Sequence, residues 1–326
     1  MKAARIQEFG APDVIGIDDV PQPTPSEGQI LVRVAAAGVG PWDALLREGK
    51  IAGSPLPLIL GSDLSGVVEA ARPGVTKFNT GDEVYGVTNT QFLGAYAEYA
   101  VASETMMARK PTSLSFAEAA SAPVVAVTAW QMLFDHAHAR AGQTVLIHGA
   151  AGNVGAYAVQ MARNAGLEVF ATASSKDLEY IRGLGAGTAI DYHATPFEDV
   201  IREADIVLDT VGGDTRVRSI RVLKPGGILV SVVSSPMPED MAAKAGVRAV
   251  YFIVDVTTDR LNTVAELFER KELVPQVGTV LPLADARVAH QMLAGAPHGR
   301  GKIVLNVAAR HDPPSGHQLQ PAPGAA

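Results

Sequence analysis

The chain has 326 residues, 47% of them hydrophobic and 19% charged, with a formal net charge of −7 and no cysteine. Its length exceeds one ordinary core and predicts two domains in a folded protein. Without cysteine there is no disulfide, thiolate nucleophile, Cys-ligated zinc or iron–sulfur cluster; without a basic stripe there is no nucleic-acid surface; and no apolar run is long enough to span a bilayer. The N-terminus "MKAARIQEFGAP" has no secretory apolar region, so a cytoplasmic location is expected.

Residues 1–115 read as β-rich. "QILVRVAAAGV", "LSGVVEA" and "GAYAEYAVA" are strand-like, and the stretches between them carry turn signals such as "PTPSEGQ" and "ARPGVTKFNTGDEV". Short strands with close-set Gly/Pro turns predict a compact barrel or sandwich. After Pro111 the spacing becomes helical, with Ser115 and Glu118 placed as a capping box. His136 and His138 in "DHAHAR" have the look of a metal clip, but only Asp135 is near, and a solvated helix end explains them better.

From 143 to about 255 strands alternate with helices. "TVLIH", "EVFATA", "TAIDY", "DIVLDTV", "GGILVSV" and "AVYFIV" are the expected strands; 153–165, 176–184, 196–203 and 214–223 are the expected helices. Apolar strands joined by helices predict a doubly wound parallel sheet, so the fold class is α/β. Helices are expected at 259–272 and 285–294, and "GKIVLNV" as a closing strand. The tail from Ala309 is rich in Pro, Gly and Gln and is expected to be disordered.

The first strand–helix joint is "TVLIHGAAGNVGAYAVQMARNAG", with Gly149, Gly152 and Gly155 at intervals of three. Glycines there let backbone N–H groups approach a ligand, and the following helix N-terminus favours an anion, so a pyrophosphate fits. Geometry alone also explains such glycines, but here they open a run of alternating units. An NAD site carries an acid about 20 residues further on. Counting forward lands on Ser174, Ser175 and Lys176, with no acid. Two hydroxyls and an ammonium suit a 2′-phosphate, and NADPH is the expected cofactor. Capping of the next helix by Ser174 and Ser175 is compatible with that role.

Taken in order, "GSDLSGVV", "GDEVYGV", "GAYAEYAVA", "HGAAGNVGAYAVQMAR", "LDTVGG", "LKPGGILVSV" and "GRGKIVL" resemble the zinc-independent quinone oxidoreductases of the medium-chain dehydrogenase/reductase superfamily. The resemblance runs from Met1 to about Val307. It implies a GroES-like β-barrel domain (1–120) interrupted by a Rossmann domain that binds NADP (121–257), with a return to the first domain (258–308) and a tail (309–326). It places Ala151, Gly152, Asn153, Val154 and Gly155 at the pyrophosphate. Ser174, Ser175, Lys176 and Tyr192 fall at the 2′-phosphate. Thr128, Val211, Val232, Val233, Ser234, Phe252 and Ile253 fall near the nicotinamide, where the apolar members also pack as core.

Zinc-dependent relatives hold their metal with an early Cys, a His-Glu pair in "GHE" and a later Cys or Asp. Here those places hold Gly40 and Ser62–Asp63, so the resemblance implies no catalytic zinc. Many relatives have Asn-Pro-x-Asp where this chain has "GPWD": Asp43 and Arg47 are kept, Gly40 replaces Asn and Trp42 is an added ring. Asp43 and Arg47 are four apart and are expected to pair on a helix, for structure or for catalysis. Trp42 is open to two roles, the floor of a substrate pocket or barrel core.

The expected reaction is hydride transfer from NADPH to a quinone or α,β-unsaturated carbonyl without metal, with Trp42, Asp43 and Thr128 as candidate catalytic residues. A conjugated acceptor spreads its charge to a distant oxygen and needs no Lewis acid. Thr128, a backbone N–H or the cofactor ribose are candidate oxyanion donors. The alternatives are an NADPH-binding regulatory protein and an enoyl or tailoring reductase of a biosynthetic pathway. The expected partners are a small-molecule substrate and a second copy of the chain, paired through the "AVYFIV" edge strand.

Overall fold

The structure, a computed structural model, describes residues 1–51, 55–234 and 236–307. The tail 309–326, expected to be disordered, lies outside the described residues.

The chain opens with β1 (Lys2–Ile6), β2 (Ile15–Asp19), β3 (Gln29–Val39), helix α1 (Pro41–Arg47) and β4 (Leu58–Ile59). β5 (Asp63–Ala71), β6 (Glu83–Val87), β7 (Tyr99–Ser103) and β8 (Met107–Arg109) complete the β-rich part. β3 pairs antiparallel with β5 and β7, and β5 leads on through β6 to β8. β2, β1 and β4 form a smaller sheet beside it.

Helix α2 (Phe116–Ala120) starts at the predicted capping box. Glu118 N–H donates to Ser115 Oγ at 3.3 Å, and Ser115 N–H donates to the Glu118 carboxylate at 2.8 Å. Helix α3 (Pro123–Trp130) runs into a wider π-helical turn, Gln131–His136. There the Gln131 side chain accepts Asp255 N–H at 2.9 Å.

The parallel layer follows as β9 (Thr144–His148), α4 (Asn153–Asn164), β10 (Glu168–Ala173), α5 (Leu178–Leu184), β11 (Thr188–Asp191), β12 (Ala204–Asp209), α6 (Gly213–Ser219), β13 (Leu223–Ser231), α7 (Glu239–Lys244) and β14 (Arg248–Tyr251). The sheet order is β11-β10-β9-β12-β13-β14 and every pairing is parallel. This is the doubly wound dinucleotide order, which reverses direction between β9 and β12. The helix expected at 196–203 is only the 3-10 turn Phe197–Asp199. That turn already buries Phe197, which packs with Ile201 under the sheet, and β12 begins at Ala204.

Helix α8 (Thr258–Glu269) leads back to the first sheet through β15 (Val277–Pro282), α9 (Ala286–Leu293) and β16 (Lys302–Asn306). β16 lies between β15 and β3, parallel to the first and antiparallel to the second. One apolar core joins α3, α4 and α8 to a face of the parallel sheet, and a second fills the β-rich part. Tyr85 bridges the two parts, donating its hydroxyl hydrogen to Leu261 O at 2.6 Å. No helix among the described residues is long and apolar enough to cross a membrane.

Candidate functional site

A pocket of about 510 Å³ opens over the C-terminal ends of β10, β9 and β12, where the strand order reverses. Such a crevice is where open α/β sheets bind ligands. Gly149 and Gly152 line it and Gly155 packs behind them, each for its own reason. Gly149 has φ +70°, and a Cβ on it would lie 2.3 Å from Thr210 Oγ1. Gly152 is the N-cap of α4 and supplies no side chain to satisfy the first amides. These first-turn N–H groups lack helical partners and carry the positive end of the helix dipole. A Cβ on Gly155 would stand 2.2 Å from Gly149 O, so only glycine lets α4 pack this closely on the turn. Ala151 and Gly152 line the pocket, with Asn153 and Val154 on the first turn beside it. The cradle fits a pyrophosphate.

At the far end of the pocket Ser174 and Tyr192 face the cavity, whereas Ser175 and Lys176 are exposed on the turn outside its lining. The expectation that no acid stands here is corrected, because Asp177 lines the pocket. Residues Ser175–Asp177 form a 3-10 turn that folds back and returns the next side chain to the cavity. Ser174 Oγ donates to Asp177 at 2.7 Å, and Arg300 Nε donates to it at 2.9 Å. Burial works against the Asp177 charge, but Ser174, Arg300 and the nearby Lys176 outweigh it and hold its pKa below the usual range. Arg300 arrives from the segment before β16 and lies over the Tyr180 ring at 4.4 Å. The acid is therefore present and also neutralised.

The other end is shaped by a buried network absent from the sequence reading. Asp209, at the end of β12, accepts from Val211 N–H at 3.0 Å, Gly212 N–H at 2.7 Å, Arg216 Nε at 2.8 Å and Ser231 Oγ at 2.7 Å. Arg216 in turn donates to Val233 O at 2.6 Å. One ion pair thus ties the "DTVGG" loop to the end of β13. Val211, Val232, Val233 and Ser234 follow the strand ends, and Val211 lines the pocket. Phe252 packs on His136 with ring centroids 4.2 Å apart, and Ile253 is 75% exposed. Thr128 is buried on α3, and its hydroxyl donates to Val124 O at 2.6 Å. Its hydrogen is committed to its own helix, so it is set to accept a hydrogen bond and is corrected as an oxyanion donor.

The positions that carry metal ligands in zinc-dependent relatives are filled. A Cβ on Gly40 would fall 2.3 Å from the Trp42 ring, so the indole occupies the place of a side chain at 40. Trp42 Nε1 donates to Ser62 Oγ at 3.1 Å. Lys302 Nζ donates to Asp63 at 2.9 Å with both side chains fully buried, and the same ammonium lies 4.2 Å over the Trp42 ring. Glycine, a serine hydroxyl engaged by an indole and a carboxylate balanced by an ammonium do not make a zinc donor set. Among the described residues no group of His, Cys, Asp and Glu is placed to hold a metal ion.

Asp43 and Arg47 do not pair, contrary to the expectation from their spacing. The Asp43 carboxylate turns back to cap α1, accepting from Gly40 N–H at 2.8 Å and Tyr96 Oη at 2.9 Å. Arg47 turns the other way, donating to Gly10 O at 2.9 Å and to His290 Nδ1 at 3.0 Å. Asp43 is fully buried, and burial raises its pKa to about 7 against the hydrogen bonds from Gly40 and Tyr96 and the charge of Lys302. A folded-state pKa above the unfolded value gives stability that is present at low pH and lost as pH rises through about 7. Asp43→Asn is therefore expected to be more stable than the parent at pH 8 and similar to it at pH 4. Urea unfolding at both values checks this, and an equal difference at each would contradict it.

Phe92 went unnoticed in the sequence. Its backbone is left-handed, with φ +60°, and its ring stands edge-on to Trp42 at 6.3 Å. It packs on both apolar cores, while Trp42 packs on the core of the parallel layer. The pair therefore sits where the two parts of the chain meet.

Comparison with known proteins agrees with this geometry. Residues 26–112 match the family described as "Alcohol dehydrogenase GroES-like domain", and residues 184–305 match "Zinc-binding dehydrogenase". The chain is 30% identical to human "Quinone oxidoreductase" over 322 residues, covering 94% of this chain and 97% of that protein. It is 33% identical to "NADPH-dependent alkenal/one oxidoreductase, chloroplastic" of Arabidopsis thaliana, covering 94% of this chain and 79% of that one. The solved quinone oxidoreductase of Coxiella burnetii superposes with a TM-score of 0.88 at 34% identity, covering 94% and 99% of the two chains. With its Rossmann sheet, its GroES-like part and these relatives along nearly its full length, the chain belongs to the quinone oxidoreductase family of the medium-chain dehydrogenase/reductase superfamily.

Proposed function

We propose that this protein is an NADPH-dependent reductase that delivers hydride to a quinone or an α,β-unsaturated carbonyl without a metal ion. The observation that carries the reading is the filled metal position beside a dinucleotide cradle. Lys302 balances Asp63, and Trp42 covers Gly40 and Ser62. Bound NADPH supplies a hydride from its nicotinamide ring, leaving the ring oxidised. The protein's part is placement and exclusion of water. Gly152, Asn153 and Val154 hold the pyrophosphate, and Gly155 allows the close approach. Ser174, Tyr192 and Arg300 surround the 2′-phosphate, with Ser175 and Lys176 adding charge and hydroxyls at its edge. Val211, Val232, Val233, Ser234 and Phe252 line the nicotinamide end, with Thr128 accepting from its carboxamide. Trp42 floors the acceptor space, and Asp43 fixes the turn that carries it. Water protonates the acceptor oxygen once charge has moved there.

The relatives' printed activities on quinones and alkenals or alkenones support this reading. The decisive test is NADPH oxidation with 1,4-quinones, α,β-unsaturated ketones and saturated alcohols with NADP⁺. Turnover of the first two is expected. Rapid oxidation of the alcohol with neither of the others turned over would replace this reading, and binding without any turnover would favour a regulatory protein.

The protein also acts as a homodimer in this reading, joined along the β14 edge, where Tyr251 and Ile253 are exposed. Sedimentation showing a monomer at micromolar concentration removes that part alone.

A further inference from the structure

We infer that Gly278, Gly299 and Gly301 are positioning residues for Arg300. Their backbone contact aims the guanidinium at the 2′-phosphate end of the cofactor cavity. The choice between NADPH and NADH is then set from the β-rich part of the chain as well as from the parallel layer. The inference rests on the reductase reading above and concerns how that site selects its cofactor.

Ser174, Asp177 and Tyr192 line the cavity from the parallel layer. Arg300 comes from elsewhere. It stands on the connection between α9 and β16, two residues before β16 joins the other sheet, and reaches the cavity through Asp177. Its side chain is 41% exposed. An exposed arginine loses much rotamer freedom when held in one geometry, so such contacts persist only where the backbone already points the side chain correctly.

The backbone here is held unusually closely. A Cβ on Gly278 would fall 2.5 Å from Gly299 O and 2.8 Å from Gly301 O. A Cβ on Gly299 would fall 2.6 Å from Gly278 O, and one on Gly301 (φ +110°) 2.8 Å from Gln276 O. Main chain presses on main chain at each glycine, and any side chain would force the two segments apart. The strand ladder is irregular at the same point. Val277 pairs with Lys302 and Thr279 with Ile303, so Gly278 is one residue extra on β15. Bulges of this kind bend a strand and re-aim its neighbours. Thr279 Oγ1 accepts Gly299 N–H at 2.9 Å, and Gln276 O accepts Lys302 N–H at 2.7 Å, which pins the chain on both sides of residue 300. In "GRG" the arginine is the one residue with a side chain, and that side chain is directed away from β15 to the parallel layer.

A circuit of side chains fixes the other end. The guanidinium lies 4.4 Å over the Tyr180 ring, and its Nε donates to Asp177 at 2.9 Å. The Tyr180 hydroxyl donates to the Gln276 side chain. Gln276 is also the residue whose carbonyl holds Lys302, so the path returns to its start. Packing of β15 on β16 alone would require neither the Tyr180 contact nor the Asp177 contact.

The test measures the affinity of the full-length protein for NADPH and NADH by nicotinamide fluorescence, alongside turnover of a 1,4-quinone. Gly278→Ala is expected to raise the Kd for NADPH about five- to tenfold and to leave that for NADH unchanged. Thr279→Val removes only the acceptor for Gly299 N–H and should give a loss of about threefold, again confined to NADPH. In an Arg300→Ala background neither change should weaken NADPH further, because the residue they position is gone. Equal losses for the two dinucleotides, or effects that persist at full size without Arg300, overturn the inference and leave a purely structural contact. Should Gly278→Ala fail to fold, Thr279→Val in the two backgrounds decides the same question. Absence of quinone turnover with the NADPH-specific loss intact would instead sink the reductase reading and leave the positioning role standing.

Discussion

Lys302→Met is expected to lower folding stability by about 3–5 kcal/mol, the cost typical of removing one partner from a buried ion pair. Both members are fully inaccessible, and Asp63 would be left without its counter-charge, with Val124 N–H at 3.0 Å as its remaining donor. Burial already pushes the Asp63 pKa up, against the Lys302 charge and hydrogen bond. Without the ammonium the carboxylate takes a proton instead, and the variant should lose most stability above neutral pH. Asp63→Asn in the Lys302→Met background removes the orphaned charge and should recover a large part of the loss. Urea unfolding of the single and double variants, read as a double-mutant cycle, measures the coupling. A single variant within about 1 kcal/mol of the parent would show that the pair contributes little, as exposed ion pairs usually do.

Arg300→Ala should change the cofactor more than the fold. In the proposed complex the guanidinium faces the 2′-phosphate and also cancels Asp177. Its removal takes away an attraction and uncovers a repulsion, so the KM for NADPH is expected to rise about 10–100-fold, or about 1.4–2.8 kcal/mol. For NADH the same change frees a carboxylate to accept from the ribose 2′-hydroxyl, and its KM should hold or fall. Asp177→Asn is expected to act in the opposite sense, sparing NADPH and weakening NADH. Steady-state kinetics with both dinucleotides tests the pair of variants. Parallel losses for the two cofactors would mean that the 2′ position lies elsewhere.

What the sequence disclosed was local in character. Three glycines at intervals of three, apolar strands of about five residues and the Ser115–Glu118 box are each written within a dozen positions. Each appears in the structure where its pattern places it. What escaped depended on contacts between distant residues or on the direction of one side chain. Arg300 reaches Asp177 across 123 positions, and Lys302 reaches Asp63 across 239. No window of sequence contains either pair. Asp177 was missed by a single position, because a count along the chain cannot see that a 3-10 turn doubles back. Asp43 and Arg47 had the right spacing to pair, but capping Gly40 drew the acid one way while His290 drew the arginine the other. Trp42 stood out as a large ring at the variable position of a familiar motif. Why glycine must accompany it becomes visible only when the ring is seen lying across residue 40.

The interleaved path of the chain also bears on its synthesis. β3 needs β16 as a neighbour, and Asp63 needs Lys302, yet both of these partners are synthesised more than 200 positions later. The parallel layer, whose strands all lie between Thr144 and Tyr251, is complete well before that point. Nascent chains therefore carry a finished parallel layer while the first half waits, with an unbalanced acid and an open strand edge, for residues 302–306.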